Sequence, residues 1–265
     1  MDTARAYRVQ CYRPYHYTAC KSDSRSTVIA KTDEAAAVSC CLTDIYGKKM
    51  KKLIPDETIP EILNRLESMH PEAACALDFG TRFQLLAAVM LSAQTTDVSV
   101  NKVTPVLFGK YPTPEAMAEA NPLDVQEIIK TIGLYKNKSK NLVALSKMLI
   151  SEYGGEVPGC FDELVKLPGV GRKTANVVLA EGFGEARIAV DTHVFRVSNR
   201  IGLTCAGDPE GVEKELMERL PEEQWTRSHH LLIFHGRKVC HARKPDCANC
   251  ALTDSCLYFT NGGKQ

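Results

Sequence analysis

The turn at residues 167–171 constrains the fold of this chain more than any other sequence feature. An apolar helical pattern that starts at Phe161 ends at Pro168, because proline lacks a backbone donor and disfavours helical angles in the residue before it. Gly169 and Gly171 then permit crowded or left-handed backbone angles, and a second apolar helical pattern starts at once. The pattern predicts a helix-hairpin-helix.

Such a hairpin suits contact with a phosphate. Backbone N–H groups at Gly169, Val170 and Gly171 can approach an anion closely, and the new helix presents its partly positive N-terminus to the same point. This contact would hold a DNA strand without regard to its sequence. The glycine pattern alone is equally typical of an ordinary tight helical hairpin, so both interpretations stay open here.

Lys173 and Asp191 add chemistry to the hairpin. A free lysine amine is almost fully protonated near neutral pH, and a helix N-terminus disfavours the cation, so Lys173 stands at an odd place for a structural lysine. A helix from about Lys173 to Gly182 advances ~15 Å, and the roughly eight residues that follow can span ~26 Å back to its start. Asp191 can therefore reach the lysine, although it also fits the N-cap of the next helix.

Four cysteines near the end of the chain form a second, independent signal. Their spacing is C-x6-C-x2-C-x5-C, at Cys240, Cys247, Cys250 and Cys256. Four thiolates at this density suit a tetrahedral metal site or an iron–sulfur cluster, and the spacing alone does not choose between zinc and iron–sulfur. Disulfides are disfavoured because the chain carries no secretory signal.

The rest of the chain predicts helix after helix. Capping residues followed by glutamate or proline predict helix starts at Thr58 with Glu61, Thr113-Pro114, Asn121-Pro122 and Asp208-Pro209. The helix after Asn121 is expected to end at Gly133. Because alternating strand patterns are nearly absent, the fold class is predicted to be all-α.

The runs LPGVGRKTANVVL and VDTHVFRVSNRIGL closely resemble the endonuclease III family, which are DNA glycosylases with lyase activity of the helix-hairpin-helix superfamily. The resemblance covers residues 53–260. It implies that Lys173 is the Schiff-base lysine and Asp191 the catalytic aspartate. It further implies that the four cysteines hold a [4Fe-4S] cluster.

The resemblance also implies two helical lobes. One is a helical barrel of residues 75–185 that includes the hairpin, and the other is a cluster domain of residues 54–74 plus 186–260. The cleft between them would hold Lys173 on one side and Asp191 on the other. Residues 1–49 lack sustained helical periodicity and precede the resemblance, so they are expected to be a disordered extension or a mis-called start before Met50.

An enzyme that acts on a base inside a duplex must extrude the nucleotide and fill the gap. By their match to the family's gap-filling positions, Gln94 could pair with the orphaned base and Leu134 could act as an apolar wedge. Composition alone would make them a surface amide and a core residue. Lys136, Lys138 and Lys140 could contact phosphates or form a solvated charged face.

The net charge says little about binding partners, because the formal charge is only +1. Any DNA-binding face must therefore be a local patch. Arg243 and Lys244 lie inside the first loop between the cysteines, where bound metal would hold them rigidly toward a phosphate. A solvated basic loop is the alternative.

The function predicted from these features is that of a bifunctional DNA glycosylase and AP lyase of base excision repair. It would remove oxidised pyrimidines from double-stranded DNA and cut 3′ to the abasic site by β-elimination. We expect a monomer in the bacterial cytoplasm that meets the nucleoid through DNA, with no membrane partner. Two rivals stay open: an adenine glycosylase, whose family lacks the lysine at this position, and a non-catalytic redox sensor that binds DNA.

Overall fold

The computed structural model describes residues 53–263, so the predictions for residues 1–49 and for a start at Met50 lie outside the described residues. The described part is helical throughout and contains no β-strand. Its α-helices are α1 Ile59–Met69, α2 Arg82–Ser92, α3 Asp97–Lys110, α4 Pro114–Ala118, α5 Pro122–Ile129, α6 Tyr135–Tyr153, α7 Phe161–Leu164, α8 Arg172–Phe183, α9 Thr192–Ile201, α10 Pro209–Arg219, α11 Trp225–Lys238 and α12 Leu257–Thr260. The prediction of an all-α fold is confirmed.

All four predicted helix starts are confirmed, because α1, α4, α5 and α10 begin directly after Thr58, Thr113, Asn121 and Asp208. Thr113, Asn121 and Asp208 are N-caps whose side chains accept a hydrogen bond from a backbone N–H in the first turn, and proline follows each of them. Short polar side chains satisfy the donors that a helix start leaves without partners, and proline has no such donor to lose. Local sequence alone therefore fixes where α4, α5 and α10 begin.

The capping box predicted at Thr58 and Glu61 is wrong. Thr58 already has helical angles, with φ −87° and ψ −14°, and its hydroxyl donates to the Pro55 carbonyl at 2.7 Å. A 3-10 turn at Asp56–Thr58 precedes α1, so Thr58 belongs to this turn and its side chain does not cap the helix. The end predicted at Gly133 is also wrong, because α5 already stops at Ile129.

Buried apolar side chains form two clusters. The first is built by α2 to α8 and includes the fully buried Leu86, Leu142 and Leu179. The second is built by α1 and α9 to α11 and includes Leu66 and Val197. The chain passes from the first cluster to the second in the segment between α8 and α9. In the sequence, this segment lies between Lys173 and Asp191.

The segment between α8 and α9 runs back along α8. Asn176, one turn into α8, donates from its buried amide to the Ile188 carbonyl at 3.2 Å. The Ile188, Ala189 and Val190 side chains are buried, which fixes the segment against the molecule. No helix between residues 53 and 263 is long and apolar enough to cross a membrane.

Candidate active site

The predicted hairpin is formed by α7 and α8, and its two glycines serve different ends. Gly169 has φ 80°, and a Cβ there would lie 2.8 Å from the amide nitrogen of Asn141 and 2.9 Å from the sulfur of Met90. Gly171 has φ −98° and open space around it, and it begins α8 without a side-chain cap. Gly169 is therefore needed for the turn, whereas Gly171 keeps the start of α8 accessible to an anion.

Val170 contributes less to the predicted phosphate contact than its neighbours. Its side chain is buried in the first hydrophobic cluster, and its backbone N–H donates to the Leu167 carbonyl at 3.0 Å. Because that donor is used inside the turn, Val170 anchors the hairpin to the core and does not offer a free N–H group. In this geometry the Val170 N–H is paired inside the turn, and its contact with a phosphate stays a prediction.

The first residue of α8 is fastened to another helix. Arg172 donates twice to the carboxylate of Glu213 on α10, from Nε at 3.0 Å and from the guanidinium end at 2.7 Å. The Glu213 carboxylate is buried. Its charge neutralises the Arg172 cation at the start of α8, where positive charge is unfavourable. Sequence reasoning missed Glu213 because it lies 41 residues away in the chain.

Lys173 is the second residue of α8, and its side chain is exposed. Asp191 caps α9 as predicted: its Oδ1 accepts hydrogen bonds from the N–H groups of His193 and Val194, both at 2.8 Å. Both bonds use one carboxylate oxygen, so capping leaves Oδ2 available for another interaction. The carboxylate is half-buried and fixed by the helix start itself.

A buried histidine lies on α11, the helix before the cysteine loop. Burial is the main cause that lowers the pKa of His229. The neighbouring His230 and the Lys173 ammonium lower the pKa of His229 further, while the Asp191 carboxylate raises it. The charges of Lys173 and Asp191 therefore act on this imidazole in opposite directions.

Gln94 and Leu134 lie at exposed tips with unusual backbone. Their φ angles are 55° and 58°, and together with Lys244 at 52° they are the non-glycine residues with positive φ between residues 53 and 263. Leu134 is 56% exposed, which is high for a large apolar side chain. Left-handed angles in non-glycine residues store strain and are concentrated at functional sites, so this outlier set independently matches the residues predicted to contact DNA.

The structure corrects the prediction for the lysines beside Leu134. Lys138 is buried and donates to the carbonyls of Leu91 and Ala93 and to the hydroxyl of Thr95, so it is not available to a phosphate. Lys136 and Lys140 are exposed. Helical periodicity could have found the difference, because Lys138 lies one turn before Leu142 on the buried face of α6.

The four tail cysteines line one cavity together with apolar residues of α9, α11 and α12. The cavity volume is about 20 Å³, and none of the described cysteines is in a disulfide. Burial raises the pKa of the Cys250 and Cys256 thiols, so bound metal would be needed to hold them as thiolates.

The donor chemistry of these four thiols suits a tetrahedral metal ion or an iron–sulfur cluster. Among the described residues, no group of three or more His, Cys, Asp or Glu side chains is arranged to hold a metal ion.

Two arginines that sequence reasoning missed, the half-buried Arg196 and the buried Arg200, support the cysteine loop from α9. Arg196 donates to the carbonyls of Gly236 and Cys240 at 2.9 and 3.0 Å. Arg200 donates to the carbonyls of His241 and Ala242 at 2.7 and 3.0 Å. The helix that Asp191 caps therefore also carries the base of this loop.

The predicted phosphate contacts Arg243 and Lys244 lie beyond these bonds, and both are exposed. Arg200 also stacks on the ring of Tyr258, with its guanidinium carbon 4.5 Å from the ring centre. The signal for the two arginines was their i, i+4 spacing on α9, which places them on one face of the helix.

Comparison with known proteins assigns the family. Residues 87–222 match the HhH-GPD superfamily of base excision DNA repair proteins. The chain is 53% identical to endonuclease III of Bacillus subtilis over 73% of this chain and 89% of that protein. It is 48% identical to endonuclease III of Escherichia coli strain K12 over 75% of this chain and 94% of the relative. The chain belongs to the endonuclease III family.

Solved structures agree with this assignment. A trapped endonuclease III–DNA covalent intermediate superposes with a TM-score of 0.76 at 46% identity, covering 80% of this chain and all of that one. A thermostable thymine-DNA glycosylase shares the fold, with a TM-score of 0.70 at 24% identity. This member of the endonuclease III family is a DNA glycosylase and AP lyase of base excision repair.

Proposed function

We propose that this chain removes oxidised pyrimidines from duplex DNA and cuts the strand 3′ to the resulting abasic site. The single observation that carries the proposal is the contrast between two helix starts: Lys173 stands at the uncapped start of α8, and Asp191 caps α9 through one carboxylate oxygen and keeps the other available. One is exposed and can reach a substrate, and the other is held rigid by its own cap. An amine nucleophile beside a carboxylate suits displacement of a base from a sugar.

In the proposed reaction the neutral amine of Lys173 attacks C1′ of the flipped nucleotide. The bond from C1′ to the base breaks, the base departs with its electron pair and a proton, and the sugar ring opens to leave an imine between C1′ and Nζ. The Asp191 carboxylate stabilises positive charge on the sugar while the base leaves. The imine then acidifies the proton at C2′, whose loss expels the 3′ phosphate by β-elimination.

Contacts to DNA are divided among separate elements. The hairpin residues Gly169 and Gly171 and the start of α8 grip a phosphate, while Arg243 and Lys244 meet the backbone from the cysteine loop. Gln94 and Leu134 fill the gap that the extruded nucleotide leaves. Val170 serves this surface by fixing the turn to the core.

We also propose that Cys240, Cys247, Cys250 and Cys256 hold a [4Fe-4S] cluster, since these four thiols surround one cavity. When bound, the cluster would crosslink the tail and hold the basic loop in place. The two hydrophobic clusters would be the cores of two lobes with the bounds 75–185 and 54–74 plus 186–260. A monomer in the cytoplasm that acts on nucleoid DNA completes the proposal.

Borohydride trapping tests the chemistry. The chain should become covalently attached to a duplex that carries one abasic site, because borohydride reduces the imine to a stable amine. Lys173→Ala should abolish trapping, whereas Lys147→Ala, at an exposed lysine of α6, should not change it. Undiminished trapping of Lys173→Ala would overturn the assignment of the nucleophile.

The same assay on a duplex with one thymine glycol tests the substrate class. The chain should be trapped on this duplex and not on an undamaged one of the same sequence. An intact thymine glycol duplex, with normal cutting of abasic DNA, would contradict the substrate class and leave the lyase activity in place.

A further inference from the structure

Lys138 joins the two exposed tips from inside the protein. It lies on α6 one turn after Leu134, and only 5% of the residue is exposed. Its ammonium donates to the Leu91 carbonyl at 2.9 Å, the Ala93 carbonyl at 2.6 Å and the Thr95 hydroxyl at 3.0 Å. These acceptors lie on both sides of Gln94, so one ammonium group spans the base of the Gln94 tip.

The surroundings of this ammonium group are unusual for a structural lysine. A buried lysine normally needs an acidic partner, but all three of its acceptors here are neutral oxygens. Burial accordingly lowers the pKa of Lys138. What favours the cation is the C-terminal end of α2, where unpaired carbonyls carry partial negative charge. The three donors of the ammonium are all used, so its position is fixed.

The two tips also contact each other. A Cβ placed on Gly133 would lie 3.3 Å from the Gln94 carbonyl oxygen and 3.6 Å from the Thr95 hydroxyl oxygen. A side chain at position 133 would push the Gln94 loop away by a few tenths of an ångström, so glycine permits this close approach. Both Gln94 and Leu134 have left-handed φ angles, which persist only where the surroundings over-determine them.

We propose that Lys138 is a positioning residue that locks Gln94 and Leu134 into one rigid unit for insertion into the duplex. The proposal builds on the proposed gap-filling role of these two side chains. Without the ammonium, the Leu91 and Ala93 carbonyls lose their partner and the Gln94 loop is free to relax from its left-handed conformation. The tips would then enter the duplex independently, and extrusion of the nucleotide would lose its pre-organised support.

The test separates duplex from single-stranded substrate. Single-turnover cutting of an abasic site is measured in a duplex and in the isolated strand, which has no gap to fill. Lys138→Met keeps the length of the side chain and removes its charge and donors. We expect it to slow duplex cutting about 10-fold to 100-fold and to leave the isolated strand unaffected. Lys147→Met, at an exposed site on the same helix, should change neither rate.

Thr95→Val supplies a milder variant in case Lys138→Met fails to fold. It removes one of the three acceptors, so it should give a smaller loss with the same selectivity for duplex. Equal losses on both substrates in both variants would mean general damage and would overturn the proposal. Unchanged duplex cutting in the folded variants would overturn it as well.

A double-mutant cycle with Gln94→Ala distinguishes this inference from the proposed gap-filling role. If Lys138 acts through Gln94, Lys138→Met should slow duplex cutting less in the Gln94→Ala background than in the wild type. Selective losses for Gln94→Ala and Leu134→Ala with none for Lys138→Met would refute the positioning role of Lys138 and support the gap-filling role of the two tips. No selective loss for either tip variant would refute both.

Discussion

The starts of α8 and α9 carry the two proposed catalytic residues, and they are built in opposite ways. α8 begins at Gly171 with no side-chain cap and open space around that glycine. α9 begins at Asp191, whose carboxylate accepts from two backbone N–H groups. A side chain caps the start of α9, whereas the start of α8 has no side-chain cap and is accessible to an external anion.

The difference assigns a distinct task to each helix start. The open start suits a residue that must meet the substrate, and Lys173 there is exposed. The closed start suits a charge that must not move, because the cap fixes the Asp191 carboxylate through short bonds of 2.8 Å. The opening at Gly171 is stabilised elsewhere, through the pair between Arg172 and Glu213.

The largest effect should come from removing the charge at the closed start. Asp191→Asn keeps an oxygen for the cap, so the fold should survive, but the carboxylate that stabilises the sugar cation is lost. We expect base release to slow about 100-fold to 1000-fold in single-turnover assays, by analogy with loss of one transition-state contact. Asp208→Asn is the matched control, because Asp208 caps α10 in the same way.

An unchanged thermal midpoint and a normal affinity for abasic DNA should accompany the loss of rate in Asp191→Asn. If base release instead stayed within a few-fold of the wild type, capping would be the whole role of Asp191. The proposed stabilisation of the sugar cation by the Asp191 carboxylate would then be refuted.

A smaller effect should distinguish the two glycines of the open start. Gly169→Ala places a methyl group against Asn141 and Met90 at φ 80°, so urea unfolding should show a loss of about 1–3 kcal/mol. Gly171→Ala meets no atom within 4 Å and has an ordinary φ, so its stability should stay within about 0.5 kcal/mol of the wild type. Its methyl group would instead obstruct the phosphate and weaken DNA binding.

Binding by fluorescence anisotropy completes this comparison. Equal affinity for DNA in Gly171→Ala and the wild type would show that the open space at α8 is not a phosphate site. Wild-type stability of Gly169→Ala would show that the turn can relax around a side chain.

The smallest effect should come from the pair that fastens the open start. Glu213→Gln removes a charge from a bidentate bond but leaves an oxygen acceptor, and Arg172 is half-exposed, so solvent screens part of the interaction. We expect a loss of about 1 kcal/mol in the free energy of unfolding, with slower borohydride trapping at Lys173. Glu218→Gln on the exposed side of α10 is the control and should change neither.

Trapping as fast as in the wild type would mean that the hairpin holds Lys173 without help from α10. A loss of stability much greater than that expected for Glu213→Gln would show that the screening by solvent at Arg172 is weaker than its exposure indicates.

Much of the fold and part of the site could be predicted because the deciding interactions are local. Thr113, Asn121 and Asp208 cap helices within three residues of themselves, and proline occupies the first position of each of these helices. The capping box at Thr58 failed because a 3-10 turn after Pro55 competes for the same residues. That competition depends on angles that the residue types alone do not set.

Within the described residues, the sequence by itself determined the helical class, the hairpin, the cap at Asp191 and the cysteine spacing, since each depends on short-range geometry. Only the tertiary structure decided which charges are buried. Lys138 bonds 47 residues back, and Arg172 pairs 41 residues ahead. Burial is a property of packed surfaces from distant parts of the chain, so no local pattern contains it.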